Sequence, residues 1–172
     1  MDNLHPPSWI AVYTRPRSEK AVLGQYQRSG IEAYVPLVKT RRRWSDRYRW
    51  VELPLIPSYV FAHLSSTQYH RIYEAFGVIR PVMFHGRVAQ VQQSEIELLQ
   101  KGTEIPDTKV VSTDQFQPGE LISINSGLFA GYRGRVLRVD GDCSVAVEIG
   151  ELGYSVVLKT RPQEVVRILA TE

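Results

Sequence analysis

The chain has 172 residues, 43% of them hydrophobic and 23% charged, an ordinary globular composition with room for one medium domain or two small ones. A single cysteine, Cys143, excludes a disulfide framework and a cysteine-based zinc site, and no apolar run nears the roughly 20 residues of a membrane helix. The net charge of +3 is uneven: residues 1–101 carry 14 Lys and Arg against 8 Asp and Glu, while residues 102–172 carry 7 against 10, which points to two units with different partners.

The opening "MDNLHPPSWIAVY" lacks the basic start and long apolar stretch of a secretion signal, so cytoplasmic residence is expected. "SWIAVYT" (Ser8–Thr14) is β-rich and predicts a buried strand. Ser18 is the expected cap of a helix over Glu19–Arg28, with Val22, Leu23 and Tyr26 on its apolar stripe and Gly30 as its stop. "IEAYVP" (Ile31–Pro36) predicts a second strand. Lys39–Leu53 predicts a hairpin of two basic-aromatic arms around Ser45 and Asp46. "SYVFAHL" (Ser58–Leu64) predicts a further strand. A second helix is expected after Ser66 or Thr67, with Tyr69, Ile72, Tyr73 and Phe76 on one stripe and Gly77 at its end. Pro81 interrupts "VIRPVMF", which predicts an edge or bulged strand. Ser94 and Glu97 predict a capping box for a last helix that stops at Gly102. Residues 103–114 lose periodicity and read as a linker. From Phe116 the segments "ELISI", "RGRVLRV", "CSVAVEI", "YSVVLK" and "EVVRIL" predict five short strands of a small β-barrel. The expected fold class is α+β: an N-terminal α/β sandwich with an antiparallel sheet and flanking helices in residues 1–102, a linker in 103–114, and a β-barrel in 115–172.

The residues hold no catalytic constellation. The carboxylates are scattered, there is no G-x-S-x-G, and none of the four histidines stands in a metal-ligand motif. No enzyme activity, metal or cofactor is expected. The stretch "NSGLFAGYRGRV" carries Gly127, Gly131 and Gly134, but a phosphate loop needs a Lys-Ser/Thr pair opening a helix, and here an alternating strand follows. It reads instead as a turn. Gly127 and Gly131 supply positive φ, Gly134 permits close backbone approach, and Leu128, Phe129 and Tyr132 are expected to face a partner.

Side chains alternate along Ser58–Leu64, so Val60, Ala62 and Leu64 share one face and Tyr59, Phe61 and His63 the other. Aromatics on a partly open face suit a protein partner; a covering helix is the alternative. Arg17, Lys20, Gln27 and Arg28, with Arg15 just ahead, form a polar helix face fit for phosphates or an exposed base, or simply a solvated surface. Lys39–Arg49 sets Lys39, Arg41, Arg42, Arg43, Arg47 and Arg49 against Asp46 alone, interleaved with Trp44, Tyr48 and Trp50. Arginines pair with phosphate and aromatics stack on unpaired bases, a mixture that suits single-stranded DNA; cross-strand packing of the tryptophans is the plainer reading.

Pro118–Leu169, through "PGELISI", "GLFAGYRGRV" and "VVLKTRPQEVVRIL", resembles the KOW motif at the C-terminus of NusG-type transcription factors. "WIAVYTRPRSEKAV", "PLIPSYVFAHL" and "FGVIRPVMF" resemble successive pieces of the NusG N-terminal (NGN) domain, with Ser58 where many family members have Gly or Asn. The order of these pieces covers the chain from about residue 8 to 170. Its compactness, "TRPRSEK" and "RRRW" are most similar to the specialised paralogues of the RfaH and UpxY type. The resemblance implies a non-enzymatic, monomeric transcription elongation and antitermination factor. Tyr59 and Phe61, with Tyr13 as companion, would grip the clamp helices of RNA polymerase. Arg15, Arg17, Lys20 and Arg28 would touch non-template DNA, with Arg80 as a further contact. The barrel would recruit a ribosomal protein or Rho, or in one branch mask the polymerase site and refold. The β-branched Val145, Val147, Val156 and Val157 argue against a helical state. Two rivals stand beside this reading. One is a housekeeping NusG acting in Rho-dependent termination and transcription-translation coupling. The other is a ribosome- or RNA-binding module using the barrel directly, which the acidic balance of residues 102–172 opposes.

Overall fold

The structure is a computed structural model, and it describes residues 6–106, 108–112, 119, 121–140, 142–160 and 162–167. The expected start of the C-terminal unit at Pro118, its close beyond Arg167 and the side chain of Cys143 lie outside the described residues.

The N-terminal sheet is antiparallel. Its strands are β1 (Ser8–Thr14), β2 (Glu32–Tyr34), β5 (Tyr59–Leu64) and β6 (Val78–Pro81), in the order β2-β5-β1-β6. β9 (Gln90–Val91) also pairs with β1, beyond the reach of β6. β6 lies at the edge, and its register against β1 shifts between Tyr13 and Thr14, as Pro81 leads one to expect. A separate hairpin joins β3 (Leu37–Arg43) to β4 (Tyr48–Pro54), and a small one joins β7 (Met83–Phe84) to β8 (Arg87–Val88).

Helix α1 (Glu19–Arg28) has the expected bounds and buries Val22 and Tyr26. Ser18 stands at its N-cap, but its side chain makes no capping hydrogen bond. The second expected helix is a 3₁₀ helix over Ser66–Glu74. That changes its buried face. Three residues per turn align Tyr69, Ile72 and Ala75 towards the sheet, where a 3.6-residue turn would have included Tyr73 and Phe76. Ile72 and Ala75 are buried, Tyr69 packs against the same cluster, and Tyr73 and Phe76 stand exposed. The Tyr26 hydroxyl donates to the Ile72 carbonyl at 2.8 Å, tying α1 to the 3₁₀ helix. Burial pushes this phenol far above its ordinary pKa, so it stays protonated.

Helix α2 (Gln93–Thr103) begins earlier than Ser94 and Glu97 predict. Its cap is Gln92, which follows β9 with extended backbone, and the Glu95 carboxylate accepts the Gln92 N–H at 2.7 Å. The capping box is therefore displaced by two residues.

The C-terminal unit is one six-stranded antiparallel sheet. Its strands are β10 (Lys109–Ser112), β11 (Leu121–Ile124), β12 (Arg133–Asp140), β13 (Asp142–Ile149), β14 (Tyr154–Thr160) and β15 (Val165–Arg167), in the order β10-β14-β13-β12-β11-β15. All five expected strands are present. β10, inside the stretch read as linker, is an addition: Lys109–Ser112 pair with Val157–Tyr154, where a valine pair finds a β-ladder to join. Gly127 and Gly131 take φ of 82° and 91°, as the turn requires. A Cβ at Gly134 would run into the Ala146 carbonyl oxygen, so the close approach of β12 to β13 demands glycine there.

The turn into β5 holds an uncommon conformation. Ser58 has φ of 67°, in the left-handed region that favours Gly or Asn. Its N–H donates to the buried Glu19 carboxylate at 2.6 Å, and its carbonyl accepts the Thr14 N–H at 2.8 Å. Two hydrogen bonds thus hold a serine where the backbone favours glycine.

Ile72→Ala should cost about 2–5 kcal/mol in urea unfolding and Tyr73→Ala less than about 0.5 kcal/mol; equal losses would refute the three-residue period. Glu19→Ala should cost about 1–3 kcal/mol by stranding the Ser58 N–H, whereas Ser58→Gly should be neutral or stabilising by up to about 1 kcal/mol.

Candidate functional site

The alternation of β5 sorts its residues as expected. Val60, Ala62 and Leu64 join Ile10 and Val12 of β1 under α1 and the 3₁₀ helix. The opposite face carries Trp9, Ala11 and Tyr13 of β1 with Tyr59, Phe61 and His63 of β5. This face is covered. Trp9, Ala11 and Phe61 form one buried cluster with Ile96, Leu98 and Leu99 of α2 and, continuously, with Ile149, Val156 and Leu158 of the C-terminal sheet. Phe61 is 0% exposed, so it does not lie on an open surface, and the covering alternative holds for it.

Tyr59 sits at the margin of that cover. It is half-buried, with the Tyr13 ring 5.7 Å away on one side and the Tyr154 ring of β14 5.7 Å away on the other, both edge-to-face. Burial and the neighbouring tyrosines push its hydroxyl up to about 12 despite Arg80 nearby, so it remains a hydrogen-bond donor. Tyr13 pairs with Tyr59 on one side and Arg80 on the other, making a row Tyr59–Tyr13–Arg80 across three strands. Arg80, expected as a further DNA contact, lies in this row.

Polar links join the two units around the apolar contact. Glu151 accepts from the Arg87 guanidinium at 2.5 Å and from the Gln90 N–H at 3.0 Å. The Tyr132 hydroxyl donates to the Ser94 carbonyl at 3.2 Å, and the Lys101 ammonium lies 5.2 Å from the Tyr132 ring centroid. Burial, reinforced by Glu151 and Glu148, raises the Glu95 carboxyl above its ordinary range, while the Gln92 and Gly150 N–H groups act against that rise.

The remaining cations divide into groups that the sequence does not separate. Arg17, Lys20 and Arg42 line one cleft of about 420 Å³ between the start of α1 and the hairpin, walled by Pro16, Leu53 and Pro57. The Lys20 ammonium donates to the Glu52 carbonyl at 3.3 Å, and Arg17 takes φ of 66°. Arg15 lies over the exposed Phe76 ring, 5.2 Å from its centroid. Arg28 reaches back over Gly24 at the far end of α1, away from the cleft. Arg41 and Arg43 alternate with Arg42 and so take the other face of the hairpin. Arg47, in the tip, stands 3.9 Å from Asp46.

In the Gly127–Gly134 turn, Phe129 does not project towards a partner. It is 4% exposed and belongs to the C-terminal core, because the positive-φ glycines fold the turn back over the sheet. Tyr132 is half-buried and engaged with α2; Leu128 alone of the three is exposed. Sequence reasoning missed Tyr154 and Glu151. Nothing local marks either one, since each acquires its role only by meeting a partner more than 60 residues away. Among the described residues no three His, Cys, Asp or Glu side chains are placed to hold a metal, and no helix is long and apolar enough to cross a membrane.

The family model for transcription termination factor NusG matches residues 7–100. No curated protein matches the chain. Among solved structures, that of "Domain interaction in Thermotoga maritima NusG" is 20% identical and aligns over 95% of this chain and 98% of its own, at a TM-score of 0.56. The "MjSpt4:Spt5 complex" in conformation A aligns over 93% and 97% at 17% identity, with a TM-score of only 0.31. With more than half its length matched by the family model over residues 7–100, and with the fold of both units aligned to the Thermotoga maritima NusG structure, the chain belongs to the NusG family of transcription factors.

Proposed function

We propose that this protein is a transcription elongation and antitermination factor for particular operons. It binds RNA polymerase through the Tyr59–Tyr13 row and favours the elongating state by binding it more tightly than the paused one. The observation that carries this reading is the aromatic row at the margin of the N-terminal sheet, in a chain of the NusG family. Tyr59 and Tyr13 combine an apolar ring with a hydroxyl, as interface anchors do. Phe61 lies behind them and acts as their support while the units stay together. The cleft of Arg17, Lys20 and Arg42, with Arg15 just ahead of α1, contacts the non-template strand near the polymerase, and Arg80 beside the row and Arg28 at the far end of α1 are further contacts.

Tyr154 covers one side of Tyr59, so polymerase competes with the C-terminal sheet for the same ring. The Thermotoga maritima NusG structure is itself described as one of domain interaction, which supports regulation by this contact. Once released, the C-terminal unit recruits its own partner, a ribosomal protein or Rho, through the exposed Leu128 end of the turn and through Tyr132. A second reading, a housekeeping factor in Rho-dependent termination, is favoured by the family description as a termination factor.

Tyr59→Ala, checked for folding by circular dichroism, should lose at least about tenfold in affinity for purified RNA polymerase. Unchanged affinity would overturn the site. Tyr154→Ala removes an edge contact worth about 0.5–1.5 kcal/mol from the closed arrangement and should raise polymerase affinity by up to about tenfold. Mapping polymerase-associated occupancy in cells separates the two readings: a few long operons for the specialised factor, most transcribed genes for the housekeeping one.

A further inference from the structure

The polar seam between the two units converges on one turn. Gly150–Leu152 is a short 3₁₀ turn between β13 and β14, closed by Gly153 with φ of 68°. It lies against the start of α2 and against β8 and β9. The Gln92 N–H and the Gly150 N–H both donate to the Glu95 carboxylate, the first at 2.7 Å. One carboxylate thus caps its own helix and receives the backbone of the other unit. The next residue, Glu151, crosses the same seam to the Arg87 guanidinium and the Gln90 N–H. The fit at Gly150 is close, since a Cβ there would stand 2.6 Å from Glu95 Oε1.

The charges around Glu95 are mostly its own sign. Glu148 of β13 and Glu151 of the turn face it from the C-terminal unit, and Glu97 adds a third carboxylate from α2. The facing cations are Arg133 of β12 and Lys101 of α2, which share with Glu95 and Tyr132 a cleft of about 540 Å³. Arg133 is exposed, Lys101 lies over the Tyr132 ring, and Arg87 of β8 is bound to Glu151. Closure therefore buries one carboxylate beside two others of the incoming unit. Burial is the main reason its carboxyl stands above the ordinary range, and Glu151 and Glu148 add to it. With the units apart, the start of α2 favours the charged form instead.

We propose that this seam is a proton-linked latch: closing the two units takes up a proton at Glu95, so that acid holds the tyrosine row covered and deprotonation frees it. The inference rests on the competition for Tyr59 in the proposed function and names what tips it. The sign follows from the linkage. A carboxyl raised in the closed arrangement binds its proton more tightly there than in the open one. The closed fraction therefore grows as pH falls through the raised value and is lost as pH climbs above it. The neutral carboxyl still accepts through its carbonyl oxygen, and it brings an O–H donor to a seam rich in acceptors.

The test follows closure in the full chain without polymerase, so its failure leaves the polymerase site standing, and failure of that site leaves the latch standing. Cys143, the only cysteine, is replaced by Cys143→Ser. Spin labels at the exposed positions of Gln27→Cys and Lys159→Cys then report the distance between the units from about pH 8 to about pH 5. The ratio of closed to open molecules should rise about threefold or more on acidification. Glu95→Gln keeps a side chain that serves the capping box and mimics the neutral carboxyl. It should be as closed at the top of the range as the parent chain is at the bottom, with no pH dependence left. Gly150→Ala keeps the charge but displaces the carboxylate from the seam, and should flatten the response without that gain in closure. The proposal is overturned if the ratio stays constant across the range, if it falls on acidification, or if Glu95→Gln retains the full response.

Discussion

The N-terminal sheet is apolar on both sides, and the rest of the molecule is arranged to satisfy that. In β1 and β5 neither parity of side chain is solvent-compatible: Ile10, Val12, Val60 and Ala62 on one face, Trp9, Ala11 and Phe61 on the other, all buried. Fully burying a side chain such as Phe61 contributes about 1.5–3 kcal/mol, so leaving a whole face wet would exceed the marginal stability of a small domain. Two layers are required. α1 and the 3₁₀ helix make the first, joined by the Tyr26–Ile72 hydrogen bond. The second must come from farther along the chain, and it does, as α2 and the C-terminal sheet in one continuous cluster.

That dependence bears on the proposed regulation. The second face is long enough that α2 covers its centre while Tyr59 and Tyr13 remain at its margin, where Tyr154 completes the aromatic contact. A margin held by ring edges and by the Arg87–Glu151 and Tyr132–Ser94 links is weaker than a core. A partner for the tyrosine row, as proposed, first displaces the Tyr154 edge contact, and full release of the C-terminal unit also opens the shared buried cluster. Glu151 is central to this, since its two oxygens bind both the side chain of Arg87 and the backbone of Gln90.

The hairpin obeys a different logic. It is a two-stranded ribbon anchored at its base through Val38, so its outer residues are free of core packing and lie exposed. The basic-aromatic composition was legible at once. Which arginines act together was not, because that depends on register: Arg42 shares the α1 cleft with Arg17 and Lys20, whereas Arg41 and Arg43 share a face with Trp50.

From the sequence alone, the element order, the bounds of α1, the two faces of β5, the hairpin and the five C-terminal strands could be read, together with the family, because periodicity and turn residues are local signals. Local patterns failed where another element overrode them. The 3₁₀ helix turned Tyr73 and Phe76 outward, the cap of α2 moved to Gln92, and β10 joined β14 out of the expected linker. Phe129 folded into its own core instead of facing a partner. Exposure was the property that only the tertiary structure decided: Phe61, Tyr59 and Trp50 are alike as residues in an aromatic-rich chain, yet one is sealed, one is half-covered and one is open. What separates them is which distant segment lies above each ring, and no window of neighbouring residues contains that information.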